Sequence, residues 1–62
     1  MKRHMQKKQL KKIRKMKKNE EMTLSINDET IDIICIDKQQ YLIFTTNGFY
    51  EINYNELIQK YQ

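Results

Sequence analysis

Sixty-two residues with 12 Lys and Arg against 8 Asp and Glu, a formal net charge of +4, one Cys, one Gly and neither Pro nor Trp predict one small unit with a thin apolar core. A lone Cys35 forms no intrachain disulfide, and with His4 as the single imidazole no Cys/His cluster is available for zinc; a reducing, cytoplasmic setting is expected. The longest unbroken apolar run, Ile33 to Ile36, is too short to span a bilayer, and the basic start is not followed by the apolar region of a secretory signal.

Every charged residue from Lys2 to Lys18 is cationic, whereas the remainder has only Lys38 and Lys60 against Glu20, Glu21, Asp28, Glu29, Asp32, Asp37, Glu51 and Glu56. The expected division is therefore a basic arm over residues 1–20 and an acidic domain over residues 21–62. At 100° per residue, Met5, Gln6, Gln9, Leu10, Ile13 and Met16 share one side of a helix, with Lys2 and Lys17 intruding, and the remaining cations fill the other, a basic amphipathic pattern that neither Pro nor Gly interrupts. Wound over all eighteen residues it is about 27 Å long. Like-charge pairs such as Lys7/Lys11, Lys8/Lys12, Lys11/Lys15 and Arg14/Lys18 each oppose it by roughly 0.2–0.5 kcal/mol. Cations in the first turn and Glu20 and Glu21 beyond the last oppose the macrodipole. The arm is thus expected to be fully helical only against a polyanion, an acidic protein face or its own domain.

From Met22 the period becomes alternating. Thr23–Ile26 and Thr30–Ile36 read as strands around an Asn27-Asp28-Glu29 turn, Tyr41–Thr46 as a third after Asp37–Gln40, and Asn47-Gly48 as a hairpin loop into Phe49–Ile52. Asn53 with Glu56 three positions on starts a short C-terminal helix carrying Leu57, Ile58 and Tyr61. The expected fold is α+β: a basic N-terminal helix, a four-stranded antiparallel meander and a short C-terminal helix. Two-residue loops at Lys38-Gln39 and Asn47-Gly48 put Ile34, Ile36, Tyr41, Ile43, Tyr50 and Ile52 on one face. They put Ile31, Ile33, Cys35, Leu42, Phe44 and Phe49 on the other. Both faces being apolar, each needs a cover, and the C-terminal helix serves one. The second is expected to be covered by Met5, Leu10, Ile13 and Met16 of the arm, by a second copy meeting Ile31, Ile33, Phe44 and Phe49, or by a different protein, with arm docking combined with a homodimer expected.

For chemistry, His4 has no sequence-near carboxylate to orient it and Cys35 alternates with Ile33 and Ile31, so neither is placed as a catalyst, and no enzyme is expected. One glycine cannot build a phosphate loop, and no cofactor or metal site is expected. The strongest functional signal is the cationic face. Arg3, Lys7, Lys8, Lys11, Lys12, Arg14, Lys15 and Lys18 suit the phosphate backbone of DNA or RNA, with little sequence preference because lysine acts as a point charge. Tyr41 and Tyr50 are read as core in preference to a base-stacking platform. An anionic membrane surface is a weaker match because the stripe uses Met and lacks Trp and Phe. Ala is absent and Lys, Ile, Asn and Tyr abound, as an AT-rich coding sequence dictates, so a low-G+C bacterium, its phage or a mobile element is the expected source. A small regulatory protein working on nucleic acid is the first expectation. The second is a phage or mobile-element inhibitor that engages a host protein through Asp28, Glu29, Asp32, Asp37 and Glu51 standing in for phosphates.

Overall fold

The computed structural model describes residues 5–26 and 28–61 of the chain. In chain order they form α1 (Lys7–Arg14), β1 (Glu21–Ile26), β2 (Glu29–Asp37), β3 (Gln40–Thr45), β4 (Gly48–Asn53) and α2 (Tyr54–Tyr61). The strands make one antiparallel meander in the order β1-β2-β3-β4, so the expected α+β architecture is the observed one. The start of α2 is the reciprocal capping box expected from Asn53 and Glu56: the Glu56 amide donates to Asn53 Oδ1 at 2.9 Å and the Asn53 amide to Glu56 Oε1 at 3.2 Å.

The β2–β3 register differs from the expected one. The Lys38-Gln39 loop is in place, with Asp37 opposite Gln40 and Gln39 at φ 56°, but a bulge between Cys35 and Asp37 moves the ladder by one residue, so that Cys35 faces Tyr41 and Ile33 faces Ile43. Because side chains alternate, one residue exchanges the faces of β2. Ile31, Ile33 and Cys35 join Tyr41, Ile43 and Ile52 in the core, while Ile34 pairs across to Leu42 on the outer side. The expected grouping of Ile31 and Ile33 with Phe44 and Phe49 is thereby corrected. Backbone bonds hold the new phase: the Cys35 amide donates to the Glu20 carbonyl at 2.9 Å, and the Asn19 amide donates to the Cys35 carbonyl at 2.7 Å.

The β3–β4 loop is Thr46-Asn47 rather than Asn47-Gly48, so Ile43 meets Tyr50 instead of Ile52. This shift preserves the parity, and the β3 and β4 face assignments hold. Gly48 opens β4 at φ 135°, where an L side chain is strained. An added Cβ meets nothing within 4 Å, so Gly48→Ala isolates the backbone cost. It is expected to lower stability by about 1 kcal/mol or more, read as a lower urea midpoint; an unchanged midpoint refutes the strain argument.

Both helices lie on the same side of the sheet. Met5 and Ile13 from the N-terminal segment and Leu57 and Tyr61 from α2 are buried in one cluster with Ile26, Ile31, Ile33, Cys35, Tyr41, Ile43 and Ile52, with Leu10, Met16, Met22, Leu24, Tyr50 and Tyr54 packed around it. The Cα radius of gyration, 10.6 Å, is the roughly 10.6 Å of a compact chain of this length, as a docked N-terminal segment requires.

Candidate nucleic-acid interface

α1 is shorter than its sequence pattern. Eight residues rise about 12 Å, and the expected continuation to residue 18 is replaced by a turn through Asn19 at φ 74°, whose amide is drawn onto β2. The N-cap is Gln6, whose amide donates to Gln9 Oε1 at 2.8 Å in a glutamine version of the capping box. Because the helix ends at Arg14, the residues at its last turn are Lys11, Lys12 and Arg14, cations where the macrodipole favours them. The expected opposition from Glu20 and Glu21 therefore falls away, since both lie past the turn, and only Lys7 and Lys8 remain adverse.

Three contacts orient the helix. The Met5 amide donates to the Tyr61 carbonyl at 2.7 Å, the Tyr41 hydroxyl to the Ile13 carbonyl at 2.8 Å, and the Tyr54 hydroxyl to the Leu10 carbonyl at 3.2 Å. With Ile13 fully buried and Leu10 and Met16 half-buried, the apolar side faces the sheet and the opposite side faces solvent. Lys7, Lys8, Lys11, Lys12, Arg14, Lys15, Lys17 and Lys18 are all exposed. The helix and the turn after it therefore expose seven of the eight sequence-selected cations. Arg3 lies outside the described residues, as do Lys2 and His4. Glu20 spends Oε1 on the Lys17 backbone amide. Glu20 and Glu21, beside Lys12, Lys15, Met16 and Met22 along a groove, mark where the cationic surface ends.

The tyrosines singled out in the sequence are core. Tyr41 is fully buried; Tyr50 is half-buried, its hydroxyl 2.9 Å from that of Tyr61 and its ring 4.4 Å beneath Lys60 Nζ. Neither offers a free face for a base. Burial, with added contributions from Cys35 and Tyr54, pushes the Tyr41 phenol up to about 12. Burial, reinforced by the hydrogen bond with Tyr50, does the same for Tyr61. Raised phenols favour the neutral form in the folded state, so this stability is whole below pH 10 and is lost as pH rises towards 12. Tyr41→Phe is expected to cost about 1 kcal/mol at neutral pH through the lost bond to Ile13 and to flatten the alkaline fall of the urea midpoint. A variant falling as steeply as the parent shows that Tyr41 does not titrate in this way.

Cys35 is buried, and its thiol donates to the Asp37 carbonyl at 2.9 Å across the bulge; burial pushes its pKa up. Such a thiol packs and does not attack. The carboxylates read as phosphate mimics are dispersed. Asp28, at φ 66°, and Glu29 sit at the β1–β2 hairpin, Asp37 at the opposite end of β2, and Asp32 and Glu51 on the outer sheet face; the expected turn residue Asn27 lies outside the described residues. The described residues contain no cluster of metal-ligating side chains and no helix long and apolar enough to cross a membrane.

The outer pair of aromatics was not foreseen as a separate feature. Phe44 and Phe49 face one another across β3 and β4 with ring centroids 5.6 Å apart, on the side away from both helices. The signal for it was present in the alternation of β3 and β4, but the assumed phase of β2 placed these rings beside Ile31 and Ile33. Comparison with protein-family models, curated proteins and solved structures finds no match to this chain.

Proposed function

We propose that the chain is a small non-enzymatic regulatory protein that binds the backbone of DNA or RNA through the outward face of α1 and the turn that follows it. The observation that carries this reading is the run of exposed cations, Lys7 to Lys18, on a helix whose apolar side is anchored in the core and on the turn after it. An anchored helix meets phosphates without the ordering cost of a free arm. Lysines act as point charges, and Arg14 is the only described side chain there with a bidentate fork, so recognition is of backbone rather than of base edges.

The test is fluorescence anisotropy of labelled duplex DNA, single-stranded DNA and RNA with the full chain over a salt series. For duplex DNA, log K is expected to fall against log salt with a slope near −5, as about six phosphate contacts give. The variant Lys8→Gln, Lys11→Gln, Lys12→Gln, Lys15→Gln is expected to lose binding while keeping its far-ultraviolet circular dichroism. Absence of binding by the full chain to all three nucleic acids at physiological salt overturns the reading.

A further inference from the structure

We propose that the outer face of the sheet is a docking surface for a partner protein that presents an amphipathic segment with Lys or Arg flanking an apolar stripe. This goes beyond the nucleic-acid reading and is independent of it, because the surface lies on the opposite side of the sheet from α1.

The register builds this face in two rows. One runs Glu51, Leu42, Ile34, Glu21 across the four strands, and the next runs Phe49, Phe44, Asp32, Thr23. The centre is thus apolar, with Phe49 69% exposed, the one large apolar side chain so exposed among the described residues. The border is anionic: Asp32 and Glu51 project there, Asp32 accepting the Thr23 hydroxyl at 2.7 Å, and Glu21 stands at the β1 edge, where it also lines the groove beside Lys12 and Lys15. No Lys or Arg occupies a strand position of this face. Two helices cover the inner face, and nothing in the described chain covers this one.

Charge selects the occupant. A second copy stacked through the same face would set Glu21, Asp32 and Glu51 against their own images, like charges at close range. A second copy applied through α1 would bring cations but no apolar stripe, because Met5 and Ile13 are already buried within their own chain. Nucleic acid would bring phosphates to three carboxylates. A segment with apolar side chains for Ile34, Leu42, Phe44 and Phe49 and cations for the border satisfies both features together.

The probe is a fluorescein-labelled peptide of two Leu-Lys-Lys-Leu-Leu-Lys-Leu heptads, with a control in which Glu replaces every Lys. The full chain is expected to bind the first at least tenfold more tightly than the second. The double variant Phe49→Ser, Glu51→Lys, both at exposed positions, should weaken it at least tenfold. The α1 variant with Gln at 8, 11, 12 and 15 should leave it undiminished. In 15N spectra the amide shifts should fall on Leu42, Phe44 and Phe49. Equal binding by both chain variants, or shifts confined to α1, overturns the proposal. A doubled mass by light scattering without peptide that Phe49→Ser abolishes replaces it with a homodimer, and single-stranded oligonucleotide binding lost with Phe49→Ser replaces it with base stacking.

Discussion

Ile13→Ala is expected to remove a large share of the protein's stability. Ile13 is fully buried between α1 and the sheet, and truncating a core Ile to Ala costs about 2–5 kcal/mol through lost transfer energy and the cavity left behind. A chain of 62 residues has a total stability of about 3–9 kcal/mol at typical per-residue values. The gain of a better helix former offsets only a few tenths of a kcal/mol. The substitution also loosens the seat of the Ile13 carbonyl, to which the Tyr41 hydroxyl donates, so hydrogen exchange in α1 and at the start of β3 should accelerate together. Urea unfolding followed by circular dichroism measures the loss. A change below about 0.5 kcal/mol, the size of an ordinary surface substitution, would show that the N-terminal segment is a free arm, since an undocked Ile13 has no cavity to leave.

The second large effect is on binding and is opposite in character. Converting Lys8, Lys11, Lys12 and Lys15 to Gln removes the like-charge pairs Lys8/Lys12 and Lys7/Lys11 within α1, each adverse by roughly 0.2–0.5 kcal/mol, and with them the favourable cations Lys11 and Lys12 of its last turn. All four positions are exposed and the two effects offset each other, so the variant should be about as stable as the parent. Its affinity for duplex DNA should nevertheless fall by about three orders of magnitude near 0.1 M salt, and the salt slope should flatten from near −5 to near −2, as the loss of four counterion-releasing contacts requires. Unchanged stability with weaker binding separates a phosphate-contacting face from a merely solubilising one. If binding survives with an unchanged slope, the contacts lie elsewhere on the chain. The ionic-strength dependence matters more than the affinity at one salt concentration, because only the slope counts the phosphates engaged.

Together with the proposed outer-face site, these expectations describe a two-sided molecule. Cations line the layer of α1, and an acid-bordered apolar face lies across the sheet. The separation follows from the meander: its inner face accepts both helices, and an antiparallel sheet turns its alternate residues to the other side. β2 lies between β1 and β3, so its backbone groups are consumed within the sheet. The strand edges available to another chain belong to β1 and β4.

Much of this protein is local in origin and so legible in the sequence. The cationic run, the four alternating segments, the Lys38-Gln39 loop and the Asn53/Glu56 capping box depend on residues a few positions apart, and each occurs in the folded chain. The side chains of the candidate nucleic-acid face were also legible, since charge at helical spacing needs no long-range information. What only the tertiary structure decided is the phase of β2. Ile31, Ile33 and Cys35 alternate with Ile34 and Ile36, so a period of two favours neither set for the core. The choice is made by residues distant in sequence: Asn19 and Glu20 pair with Cys35, Tyr41 and Ile43 lie opposite Cys35 and Ile33, and the bulge absorbs the mismatch with the Lys38-Gln39 loop. The same long-range pairing ends α1 at Arg14, four residues before the cations stop, because backbone bonds to β2 replace further helical turns. It also brings both helices to one side and thereby leaves Phe44 and Phe49 outside. Local pattern specifies which segments are helix or strand, and the burial of one contiguous core specifies which of two equally apolar faces is turned inward.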